Sequence, residues 1–178
     1  VQNSGGEPTR RDFLYIATGA MGVVAVGGII TPFVSSMAPD QRTIAAAAPI
    51  DVDLSTIAEG ATVTFKWNGR PVFVRHRTAA EIEAEAAAPM SDMKDPEPDT
   101  ARMPVRDGQP VPQWYVSLGA CTHLGCVPTA NGGEYNGWFC PCHGSQFDTV
   151  GRIRKGPAAR NLDLIPVDFR SDTMIRVG

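Results

Sequence analysis

The sequence predicts a mainly β domain, of the antiparallel sandwich or barrel type, carried behind one N-terminal membrane-spanning helix. Three observations carry that expectation. Residues 13 to 37 form an apolar run with no charged side chain. The rest of the 178 residues falls into short strand-like runs divided by glycine and proline turns. All four cysteines, with two of the three histidines, lie in two tight clusters between Cys121 and His143.

The apolar run, FLYIATGAMGVVAVGGIITPFVSSM, is long enough to cross a bilayer, since about 20 residues at about 1.5 Å per residue span the hydrocarbon core. Its glycines are tolerated in lipid, where small residues let helices approach closely. Arg10 and Arg11 directly precede it, the arrangement of a helix whose N-terminus stays in the cytoplasm. Paired arginines in this setting resemble the twin-arginine export signal, which exports proteins already folded around a cofactor. Residues 1–12 are therefore expected to be a cytoplasmic N-terminus with that signal and 13–37 a membrane anchor, with the signal left uncleaved. Residues 38–49, including PDQRTIAAAAP, form a neck whose alanines can be helical but offer no amphipathic stripe to bury. A changeable hinge and a rigid extension both fit it.

The formal net charge of −3 says little about partners, and nothing in the sequence suggests nucleic acid. The most basic stretch, Arg152-Ile153-Arg154-Lys155, reads as loop decoration.

From residue 50 onward the domain proper is expected. Ala61 to Trp67 and Arg70 to Arg77 flank Asn68-Gly69, the pair suited to a type I′ hairpin turn. Pro71 suggests that the second strand begins there or runs along a sheet edge. Thr78 and Glu81 make a capping box for a short helix to about Ala88. Residues 89 to 113, rich in Pro and Asp without periodicity, read as a surface excursion. Strands are expected at Trp114 to Leu118, Glu134 to Phe139, Asp163 to Phe169 and Met174 to Val177. His76, in the hairpin, reads as structural.

The clusters read Cys121-Thr122-His123-Leu124-Gly125-Cys126 and Cys140-Pro141-Cys142-His143-Gly144-Ser145. Two disulfides would leave the histidines unexplained. A structural zinc ion accepts these ligand types. A redox dithiol would favour Cys-x-x-Cys, which is absent. A [2Fe-2S] centre with two thiolates on one iron and two imidazoles on the other takes one Cys and one His from each segment, and the paired Cys-x-His and Cys-x-x-His spacing suits it best. Cys126 and Cys142 then remain as a pair able to form a disulfide in an oxidising compartment if their Cβ atoms come within about 4.5 Å.

The pattern CTHLGC followed by CPCHGS resembles the Rieske iron-sulfur proteins of bacterial and mitochondrial cytochrome bc1 complexes, the ubiquinol:cytochrome c oxidoreductases. The resemblance extends over nearly the whole chain, through the anchor, the alanine neck, the RHRT segment and the GRIRKGPA run. It implies a Rieske-type antiparallel β-sandwich at 50–178 with a cluster-binding subdomain at about 119–160, on the periplasmic side of the bacterial inner membrane. It also implies one Rieske-type [2Fe-2S] cluster, held by Cys121, His123, Cys140 and His143, and a disulfide between Cys126 and Cys142. His143 would meet the quinol and take its proton. The implied partners are ubiquinol, cytochrome b and cytochrome c1 in a homodimeric complex, with the domain swinging on its neck. Rivals are the small subunit of arsenite oxidase and, in a different class, a zinc-stabilised membrane-anchored interaction module.

The resemblance also assigns supporting roles. Ser145 would donate a hydrogen bond to a cluster sulfur. Phe147 stands where the family commonly places a tyrosine donor, so a lower reduction potential is expected. Leu124 would face the quinol-site docking surface, and Gly144 and Pro157 would shape the loops around the cluster. Ala159 stands where a second proline is usual.

Overall fold

The structure, a computed structural model, describes residues 9–178. Of the expected N-terminal segment, residues 1–8 lie outside the described residues. The described residues divide into two compact units, 9–41 and 42–178.

In the first unit, helix α1 spans Arg10–Ser36, starting three residues earlier and ending one residue earlier than the apolar run suggests. The early start follows from a cap. The Asp12 carboxylate accepts the Thr9 backbone N–H at 2.9 Å, while Thr9 Oγ1 accepts the Asp12 N–H. Pro32 lies inside the helix, and Thr31 Oγ1 donates to the Gly27 carbonyl at 2.6 Å in the turn before it. All of α1 is long and apolar enough to cross a membrane.

The neck contains α2 (Gln41–Ala46), all of it but Gln41 in the second unit. The Ala46 carbonyl accepts the Asn68 N–H at 2.8 Å, and the Ala48 carbonyl accepts Trp67 Nε1 at 3.0 Å, so the end of the neck is tied to the hairpin turn. Strand β1 (Ile50–Asp53) follows, and then the hairpin of β2 (Thr62–Trp67) and β3 (Arg70–His76). Its turn has Asn68 at φ 48 and Gly69 at φ 73, as a type I′ turn requires. Pro71 is the second residue of β3, yet β3 is central: β6 (Trp114–Leu118) pairs on its other side from Val72 onward. The proline is accommodated because it lies just outside that ladder, with its carbonyl accepting the Gly119 N–H.

Helix α3 (Ala79–Ala87) has the expected capping box at Thr78 and Glu81. The segment after it is less of a surface excursion than its composition suggests. It holds two 3-10 turns, Met90–Asp92 and Asp99–Arg102, and the small ladder β4 (Val105–Arg106) with β5 (Gln109–Pro110). Met93, Asp99, Arg102, Met103 and Val111 are buried. Short-range periodicity is silent about such a segment because its anchors are single residues reaching distant partners.

Beside the β4–β5 ladder, three larger sheets build the domain. One is β1 with β12 (Met174–Val177) and β11 (Val167–Phe169); another is β2, β3 and β6. The third is β7 (Thr129–Gly132), β8 (Gly137–Phe139), β9 (Gln146–Phe147) and β10 (Ile153–Lys155). The expected strand at 134–139 is thus shorter, because Gly133 to Asn136 form a turn with β7 on its far side. Only 167–169 of the expected 163–169 strand is regular; before Pro166, Leu164 makes a single bridge to Ser117. Arg152 to Lys155 is no loop decoration: Arg152 is buried and the next three residues form β10.

Strands β3 and β6 join the two halves because both of their faces are covered. Alternate side chains of a strand point to opposite faces. Val72, Val74, Trp114, Val116 and Leu118 therefore enter the first core, with Leu54, Ile57, Ile175 and Val177. Phe73 and Tyr115 point the other way, into a second core with Trp138, Phe147, Val150, Ile153, Leu162 and the thiols of Cys121 and Cys140. His76 stacks on Trp114 with ring centres 4.1 Å apart, and its Nδ1 lies 2.9 Å from the Ile57 carbonyl.

Candidate metal centre

The two cysteine segments leave the ends of β6 and β8 and fold in the same way. In each, the first cysteine N–H donates to the carbonyl five residues on: Cys121 to Cys126 at 2.7 Å, Cys140 to Ser145 at 2.8 Å. A glycine four residues on donates back to the first cysteine's carbonyl, Gly125 at 2.8 Å and Gly144 at 3.0 Å. Both glycines have left-handed backbone, φ 81 and 75. Cys121 and Cys140 therefore hold equivalent places in one backbone frame. The histidines and the second cysteines occupy different places in it.

Cys126 and Cys142 are joined by a disulfide with Cα atoms 6.6 Å apart. Cys121 and Cys140 are free and buried. The sulfur of Cys140 lies within 4.8 Å of both disulfide sulfurs, but that trio is no metal site, because two of its members are bonded to each other. Burial pushes the Cys140 thiol up, and the neighbouring Cys121 adds to the effect. A metal held there has to displace that proton.

His123 and His143 meet at their Nδ1 atoms, 3.3 Å apart, with ring planes at 89°. Two nitrogens on one tetrahedral ion, at bond lengths of about 2.1 Å, are about 3.4 Å apart, so the imidazoles already have the spacing of two ligands to one metal. His123 is half-buried and His143 exposed. Beside them Leu124 is 72 % exposed and Val127 51 %. Two buried thiols from equivalent loop positions and two converging imidazoles thus form a donor set that fits a mixed thiolate–imidazole cluster.

Comparison with known proteins decides the family. The family described as "Rieske [2Fe-2S] domain" matches residues 51–166, and "Ubiquitinol-cytochrome C reductase Fe-S subunit TAT signal" matches residues 2–40. A ubiquinol-cytochrome c reductase iron-sulfur subunit from Blastochloris viridis is 52 % identical over 97 % of this chain and 94 % of its own. The chain belongs to the Rieske iron-sulfur subunits of ubiquinol-cytochrome c reductase. The subunit of the same name from Bradyrhizobium diazoefficiens is 51 % identical over 99 % of this chain and 98 % of its own. A mitochondrial Rieske subunit of the cytochrome b-c1 complex from Pongo pygmaeus is 48 % identical over 95 % of this chain and 60 % of its own. Among solved structures, a chain of "Hyperthermophilic respiratory Complex III" shares the fold with TM-score 0.51 and 23 % identity, covering 90 % of this chain and 98 % of that one.

The protein is accordingly an electron-transfer subunit of a bc1-type quinol:cytochrome c oxidoreductase, within a multi-subunit respiratory complex, and its cofactor is a Rieske-type [2Fe-2S] cluster. Its single membrane-spanning helix with a Tat signal gives it an inner-membrane location with the Rieske domain periplasmic. The zinc and arsenite-oxidase alternatives give way to this assignment.

Around the Rieske centre, Ser145 is fully buried, and its Oγ accepts the Ala158 N–H at 3.1 Å. That bond leaves the hydroxyl proton free to point elsewhere. Phe147 is fully buried in the core shared with both free cysteines. Gly156, at φ 100, rests on the second loop so closely that a Cβ would come within 2.5 Å of Ser145 Cα. Pro157 is exposed, while Ala158 is buried. On the first loop, Thr122 Oγ1 donates to the Arg160 carbonyl at 2.6 Å. Thr122, Ala158 and Asn161 were not singled out by the sequence. Ala158 acts through its backbone, and the hydroxyl of Thr122 and the amide of Asn161 have partners far along the chain, so no local pattern reports them.

Proposed function

We propose that Cys121 and Cys140 hold one iron through their thiolates, that His123 and His143 hold the other through Nδ1, and that His143 receives the proton of ubiquinol. The observation carrying this reading is the 3.3 Å approach of the two Nδ1 atoms beside two free, buried thiols. A cluster ligated in this way supplies a one-electron acceptor at roughly −150 to +300 mV, because neutral imidazoles bring less negative charge than thiolates.

The remaining work falls to the chain. With Nδ1 turned inward, Nε2 of the exposed His143 faces out, where a quinol hydroxyl can donate its hydrogen bond and then its proton. Leu124 and Val127 offer apolar surface next to that nitrogen, suited to the rim of a quinol pocket that excludes water. Gly144, beside His143, allows the turn that brings the imidazole outward. The Cys126–Cys142 disulfide limits how far the two loops can separate; closing a loop of this size also stabilises the fold by about 3 kcal/mol.

In this reading cytochrome b presents ubiquinol and cytochrome c1 receives the electron, within a homodimeric complex, and residues 38–49 let the domain move between them. The names of the relatives support the partners, since they are ubiquinol-cytochrome c reductase and cytochrome b-c1 complex subunits. Ligation is tested by replacing His123 or His143 with Gln and Cys121 or Cys140 with Ser. Each should abolish acid-labile sulfide and the EPR signal of the reduced cluster. A variant that keeps both would remove that residue from the ligand set. Co-purification of cytochromes b and c1 with the tagged full chain tests the partners, and their absence from an otherwise intact preparation would overturn that part.

A further inference from the structure

The segment Lys94–Glu97 crosses to the loop that covers the second cysteine segment. Asp95 Oδ2 accepts the Asn161 N–H at 2.9 Å, and the Asp95 carbonyl accepts Asn161 Nδ2 at 3.1 Å. Glu97 Oε2 accepts the same Nδ2 at 3.1 Å. Asn161 is buried, and its Oδ1 accepts the Ile153 N–H at 2.9 Å, which fastens it to β10 as well. At the other end of the covering loop, Lys94 Nζ donates to the Gly156 carbonyl.

Residues 156–161 are thus gripped at both ends by one four-residue stretch. Between the grips lies Ala158, whose N–H holds Ser145 Oγ. The covering loop has only one proline to restrict it, Pro157, so its path depends on these side-chain contacts. The Ala158 N–H occupies one lone pair of the Ser145 oxygen, which narrows the directions its rotating proton can take. Asp95 and Glu97 are half-buried, and the far end of the stretch is itself fixed, since Glu97 pairs with Arg102 at 2.5 Å and its carbonyl accepts Arg152 Nη1 at 3.3 Å.

We propose that Asp95, aided by Lys94 and Glu97, is a positioning residue for the redox centre: it braces residues 156–161 so that Ala158 orients the Ser145 hydroxyl, and thereby raises the cluster's reduction potential. This rests on the reading that Ser145 donates to a cluster sulfur. Such a donor stabilises the more negative reduced state, and a misaimed hydroxyl stabilises it less.

The test is a double-mutant cycle in the intact membrane complex, reading the midpoint potential at constant pH together with iron content. Asp95→Ala should reduce the preference for the reduced state about threefold, which is about 28 mV for a one-electron couple at about 59 mV per tenfold. Asp95→Asn, which keeps an acceptor for the Asn161 N–H, should recover most of that shift. In a Ser145→Ala background, Asp95→Ala should shift the potential no further. An unchanged potential in Ser145→Ala would overturn the serine reading itself. A normal shift in Ser145→Ala with none in Asp95→Ala would overturn the brace, as would an Asp95→Ala shift that persists undiminished without the serine. If Asp95→Ala fails to assemble its cluster, Lys94→Met decides: the brace requires a smaller shift of the same sign, and no shift overturns it.

Discussion

Arg152 Nη2 lies 2.6 Å from Glu85 Oε2, and this buried pair fastens α3 to the sheet that carries the second cysteine segment. The same guanidinium reaches the Glu85 carbonyl through Nη2 at 3.1 Å and Asp148 through Nε at 2.7 Å. Glu85 also accepts the N–H and hydroxyl of Thr149 at 3.0 and 3.1 Å. Replacing Glu85 with Ala leaves Asp148 as the one carboxylate bonded to Arg152, beside the backbone carbonyls of residues 85 and 97, and strips Thr149 of its acceptor. Truncating one member of a buried ion pair costs about 3–5 kcal/mol. Chemical denaturation of the full chain should show a loss of that order, and a loss under about 1 kcal/mol would mean that the pair is dispensable.

Asp148 gives the domain a distinctive pH response. Burial, reinforced by the charge of Glu85, pushes its carboxyl from the ordinary 3.8 up to about 6, against the pull of Arg152. The folded chain therefore binds this proton more tightly than the unfolded chain does. Its contribution to stability is fully present below about pH 4 and is lost as pH rises through about 6. Glu85 acts in the opposite sense: hydrogen bonds from Thr149 and Arg152 outweigh its burial and hold its carboxyl below the usual range. Melting temperatures of the wild type and Asp148→Asn between pH 4 and 7 should differ in slope, with the variant lacking the decline toward pH 6. Parallel curves would show that Asp148 does not titrate in this window.

Phe147 fills a buried position in the core shared with the two free cysteines and cannot donate a hydrogen bond. Phe147→Tyr should raise the midpoint potential, by about 59 mV for each tenfold gain in stabilising the reduced state. Fitting the extra oxygen into a closed core should cost about 1–3 kcal/mol of stability. An equal or lower potential, with the new hydroxyl within hydrogen-bonding reach of sulfur, would refute the expectation.

Prolines in place of Ala45 to Ala48 would interrupt α2 and stiffen the neck. Quinol oxidation should slow while the cluster spectrum stays the same, because the residues at the metal centre are untouched. Turnover at the wild-type rate would remove the case for a mobile neck.

Much of this was legible in the residues. The membrane run, the Asn-Gly hairpin and the Thr78–Glu81 cap depend on local rules, and a local rule can be read without a fold. The paired cysteine–histidine segments were legible for the same reason, since each loop closes on itself within six residues. Only the tertiary structure showed that β3 is a central strand despite Pro71, and that β3 and β6 serve two cores. It alone turned the acidic segment after α3 from an excursion into a brace on Asn161, and Arg152 from loop decoration into a buried anchor. Those outcomes depend on partners more than sixty residues apart, whose contacts repay the ordering of the chain only once the sheets have brought them together.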